Sequence, residues 1–155
     1  MSIVTLAAAK LHLRIEGGNE DALIQVLVNA SELSAAKFMA RNVYADQGAL
    51  DAAVAGVAAA LASASAAYEA ATTAADLIMN AVERAFALVA AEDAYTNAQT
   101  LARMTQAGIV INDAIVSAVL LTVGHLYLNR EGVVDRALVE LPMGVQYLLQ
   151  PFKAY

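Results

Sequence analysis

The sequence predicts an all-α protein, and three observations predict it. Proline occurs only at Pro142 and Pro151, so no ring clash and no missing backbone donor interrupts a helix before position 142. No stretch alternates apolar and polar residues long enough to read as a half-buried strand. Apolar residues recur instead at steps of three and four, punctuated by Gly, Asn, Asp and Thr where helices begin and end. Hydrophobic residues make up 60% of the chain, but much of that is Ala, a good helix former that fills a core poorly, and aromatics are only 6%. The expectation is a compact bundle of about four helices, formed by residues 1–44 and 109–155, with an inserted Ala-rich helical segment at 45–108.

The elements follow in order. Thr5 is the expected N-cap of a first helix, "LAAAKLHLRI", and the Gly17-Gly18 pair is expected to end it, since Gly accepts the left-handed conformation past a helix terminus. Asn19 is expected to cap the second helix, "EDALIQVLVNASELSAAKFMARNVY", with Glu20 and Asp21 favourably placed in its first turn. Its buried stripe is read as Leu23, Leu27, Ala30, Ser34 and Phe38. "ADQG" at positions 45–48 then breaks it.

Between Ala49 and Ala107 lies only one Gly, Gly56, and no Pro. Leu50, Val54, Val57, Leu61, Ala64, Tyr68, Ala71, Ala75, Ile78, Val82, Ala85 and Val89 recur as a heptad seam, thinly built because two thirds of it is Val or Ala. Either one long rod or a hairpin fits. Thr73 followed by Asp76 has capping-box spacing and favours a hairpin of two helices, each about 25–30 residues and roughly 40 Å long. Asn112 or Asp113 caps the next strong helix, "INDAIVSAVLLTVGHLYLNRE", whose apolar face is Ile115, Val119, Leu120, Val123, Leu126 and Tyr127 and whose end is expected at Gly132. Met143 to Gln150 is read as a short helix stopped by Pro151.

Composition excludes several functions. The chain has no Cys, hence no disulfide framework, thiolate zinc site or thiol nucleophile. A net charge of −6 without any basic run gives no means of gripping phosphates. The N-terminus is broken by Lys10, His12 and Arg14 and does not read as a signal peptide. The uncharged stretch Ala52–Tyr68 falls short of the roughly 20 apolar residues of a membrane span, so no membrane partner is expected.

His125, Tyr127, Asn129, Arg130 and Glu131 crowd the end of the helix that begins near Asn112. They do not make a catalytic set. His125 and Asn129 share one helix face, Tyr127 and Arg130 another, and Ser117 lies two turns away without a motif. A cation late in a helix suits the negative end of the dipole, and the Arg130 fork suits a carboxylate on a neighbouring element or subunit; solvated ends are the other reading of Arg130 and Glu131. His12 and His125 have no HxxxH or ExxH partner, "EGGNED" lacks calcium-loop spacing, and Gly17-Gly18 is followed by no Lys-Ser/Thr, so no metal, cofactor or enzymatic activity is expected. Tyr147, Phe152 and Tyr155 flank Pro151 on a tail that seeks either a partner's pocket or its own core.

Three blocks in order carry a resemblance. They are "VTLAAAKLHLRIEGGNEDALIQVLVNASELSAAKFMARNVY", "AIVSAVLLTVGHLYLNREGVV" and "ELPMGVQYLLQPFKAY". Together they resemble the head–tail connector (adaptor, or head-completion) family of long-tailed bacteriophages. Members often open with a Thr-Leu helix ending Leu-Arg-Ile, then an acidic loop and Asp-Ala-Leu-Ile. They carry an apolar helix finishing in His, Tyr, Asn, Arg and Glu, and close on Leu-Pro-x-Gly-x-x-x-Leu-Leu-x-Pro-Tyr; Phe152 stands where Tyr is usual. The middle segment departs from the pattern, being much shorter in compact members. The resemblance implies a non-enzymatic virion protein made in the bacterial cytoplasm. It would form a homo-oligomeric ring of about twelve copies between the portal and a downstream tail or stopper protein, with the genomic DNA passing through its channel without specific binding. It would also place Arg130, Glu131, Tyr147, Pro151, Phe152 and Tyr155 at the portal or subunit interface. The other reading is a soluble acidic α-helical interaction module whose Ala-rich coil pairs with a cellular partner.

Overall fold

A computed structural model describes residues 3–129 and 143–154. The fold is all-α, with six α-helices among the described residues and a single two-residue strand pair. The chain divides into two compact units, Met1–Asp46 with Ile109–Tyr155, and Gln47–Gly108.

In the first unit, α1 (Leu6–Leu13) begins where predicted: the Thr5 hydroxyl accepts from the Ala8 N–H at 3.2 Å. It ends earlier than the glycines suggest. Arg14 itself takes the left-handed conformation (φ 57°), and its N–H and that of Ile15 bond back to Leu11 and Lys10. Gly17, also at positive φ (83°), belongs to the following loop. Lys10 Nζ reaches across that loop to the Gly17 carbonyl and to Asp21 Oδ1 (2.6 Å), tying α1 to the start of α2 (Asp21–Met39). The residue at the cap position of α2 is Glu20, not Asn19, and it makes no side-chain cap bond. Ala40 in the left-handed conformation (φ 53°) closes α2, five residues before the expected break.

The buried face of α2 is Ile24, Val28, Ser31, Ala35 and Met39. This is the expected period displaced by one residue, about 100° of helix rotation; Leu27 and Phe38 flank the stripe while Leu23 is exposed. Against it pack Ile115, Ala118, Val119 and Val123 of α5 (Asp113–Leu128), together with Val4, Ala9 of α1 and Leu149 of α6 (Met143–Leu149). Asn112 is the cap of α5, accepting from the Ile115 N–H at 3.1 Å. Its last helical residue is Leu128, with Asn129 as C-cap, so the helix stops short of the expected Gly132, which lies outside the described residues. Pro151 ends α6 as predicted, the chain continuing through a 3₁₀ turn at Gln150–Phe152.

One feature has no sequence signal. Val43–Tyr44 (β1) and Ile109–Val110 (β2) pair in parallel, in register Val43↔Ile109 and Tyr44↔Val110, and Ile111 N–H donates to the Tyr44 carbonyl at 2.8 Å. The two short strands flank the inserted segment in sequence.

The second unit is a helical hairpin of α3 (Gln47–Asp76) and α4 (Ala81–Gln106), of 30 and 26 residues. Gly48 sits inside the first turn of α3, so "ADQG" starts a helix. The turn is not at Thr73, whose hydroxyl bonds the Glu69 carbonyl within the helix at 2.8 Å. It is at 77–80, and Asn80 caps α4 by accepting from the N–H groups of Val82 (2.9 Å) and Glu83 (3.3 Å). The seam of α3 is close to that predicted, with Val57 and Ala75 buried and Leu50, Leu61, Ala64 and Tyr68 half-buried. The seam of α4 is not. Ala91 and Ala102 are buried and Leu88, Tyr95 and Ala98 half-buried, whereas Val82 and Val89 are exposed, because the restart at Asn80 resets the helical phase. Tyr68 and Tyr95 stack across the seam with ring centroids 5.3 Å apart.

Candidate assembly surfaces

Nothing among the described residues gathers into a reactive centre. No group of three or more His, Asp or Glu there could hold a metal ion. Ser117 is exposed on α5, and Ser31, the one buried polar residue described, has no hydrogen-bond partner for its hydroxyl. A small side chain there permits close approach of the helices.

His125, Tyr127 and Asn129, at the end of α5, make hydrogen bonds within the fold. Asn129 Nδ2 donates to the His125 carbonyl at 2.8 Å and lies 3.3 Å from His125 Nδ1, as their shared face requires. Tyr127 donates its hydroxyl to Glu20 Oε2 at 2.6 Å, locking the end of α5 onto the start of α2. A hydrogen bond to an ionised acceptor contributes about 1.5–3 kcal/mol when sheltered. His12 Nε2 stands over Gly124, whose missing side chain gives it room: a Cβ there would meet the ring at 3.4 Å.

Of the six expected interface residues, Arg130, Glu131 and Tyr155 lie outside the described residues. Tyr147 is 68% exposed on α6, and Pro151 is exposed. Phe152 is half-buried and packs on the core of its own unit. Its neighbours are held there too: Leu149 is buried, Ala154 N–H donates to the Met39 carbonyl at 2.8 Å, and Lys153 Nζ sits 5.4 Å from the centre of the Phe38 ring. The described part of the tail thus folds back on its own body, and of its described aromatics Tyr147 points outward while Phe152 packs on the core.

Surfaces able to meet another protein are present on both units. In the first, α2 and α5 pack through their buried faces, so their apolar outer residues, Val26 and Leu33 on α2 and Leu121 on α5, point in different directions. Beside Leu33 a broad groove of about 830 Å³ runs between Ile3, Asn29, Glu32, Asn42 and Tyr44. In the second, Leu77, Met79, Val82, Phe86 and Val89 are exposed around the turn; of these the heptad reading placed Val82 and Val89 in the seam, because it carried one phase through the turn. By length and composition α3 is apolar enough to cross a membrane, which counting only its uncharged stretch did not reveal. Its antiparallel partner α4 carries Glu83, Arg84, Glu92, Asp93 and Arg103.

Compared with protein-family models, curated proteins and solved structures, the chain matches none of them. The fold and its surfaces define the class as an all-α protein with two helical units.

Proposed function

We propose that this chain is a structural ring subunit of the head–tail interface of a long-tailed bacteriophage, docking on the portal and extending the DNA channel toward the tail. The carrying observation is convergence. The described parts of the three sequence blocks, which are far apart in the chain, build one core from Val4, Ile24, Val28, Ile115, Val123 and Leu149. The segment foreign to the pattern forms a separate compact unit. Blocks related by order alone have no reason to share a core; blocks of one inherited domain do.

Two further observations support the reading. A cyclic ring joins one face of a subunit to a different face of the next, and α2 and α5 offer apolar residues on different sides of the body. The net charge of −6 suits a channel through which DNA slides without sticking. The role requires no cofactor and no catalysis.

The acidic interaction module remains the second reading, favoured by the exposed apolar residues around the hairpin turn. Native mass measurement of the purified chain, alone and with portal protein, separates the two. A closed ring of about a dozen copies is the expected result. A monomer or simple dimer indifferent to portal would overturn the ring.

A further inference from the structure

We draw no further inference here: the strongest candidate, the exposed apolar patch of Leu77, Met79, Val82 and Phe86 around the turn of the hairpin, carries nothing because nothing in the structure shows what covers it.

Discussion

The two units of this protein are held together by different means. In the body, branched and long side chains are fully buried: Ile24, Val28, Met39, Ile115, Val119 and Val123 are each below 2% exposed. In the hairpin the buried residues are Val57, Ala75, Ala91, Ala102 and Met104, and the seam between α3 and α4 is largely methyl groups. Apolar burial stabilises by about 25 cal/mol per Å², so a seam of Ala contributes far less per residue than a core of Ile and Met. What the hairpin lacks in side-chain volume it offsets with length and helix propensity, since Ala is the best helix former. The lesson is that 60% hydrophobic composition means a core in one unit and a scaffold in the other.

Five substitutions sharpen that contrast. The largest effect is in the body, where Ile24→Ala should cost about 2–5 kcal/mol by lost burial and a residual cavity; Val57→Ala, buried in the hairpin seam, should cost only about 1–2 kcal/mol. Urea titration followed by circular dichroism measures both, and equal losses would mean that the hairpin has a core comparable to the body's. Next is the cap. Asn80→Ala should destabilise the hairpin by about 1 kcal/mol, whereas Thr73→Ala should cost nothing, because Thr73 is inside a helix where Ala is the better residue. Melting curves of the two variants locate the turn. The smallest effect runs the other way: Gly56→Ala should stabilise α3 by up to about 1 kcal/mol, since a Cβ there meets nothing within 4 Å. A lower melting temperature for this variant at micromolar concentration would contradict the open space around Gly56.

The sequence made some of this legible. Helix starts marked by an oxygen-bearing side chain, at Thr5 and Asn112, were found where predicted, because the cap bond is a local event between neighbours. The ends of α1 and α2 were not, because Arg14 and Ala40 adopt a left-handed conformation without the Gly that usually announces it. The buried stripe of α2 came out one residue late because Leu, Ile and Val alternate along it, so several phases fit the apolar pattern until α5 selects one. The hairpin was legible as a hairpin but its turn was displaced. Asn80 with Glu83 has the same spacing as Thr73 with Asp76, and propensity alone does not choose between them. The bond from Tyr127 to Glu20 spans 107 positions, and no local pattern foretells it. The exposure of Val82 and Val89 on α4 was likewise hidden, because a reading that ran one heptad register across the turn assigned both to the seam.

The pairing of β1 with β2 has an evolutionary corollary. Two rungs of ladder bring the chain's departure point beside its point of return, so the body's continuity is sealed by Asn42–Tyr44 and Ile109–Ile111 themselves. Whatever is threaded between those rungs can lengthen, shorten or be exchanged without disturbing the residues outside them. The junction behaves as a graft site: lineages carrying this domain could acquire or shed an appendage there in one step, and a protein engineer could splice a foreign hairpin at the same two positions.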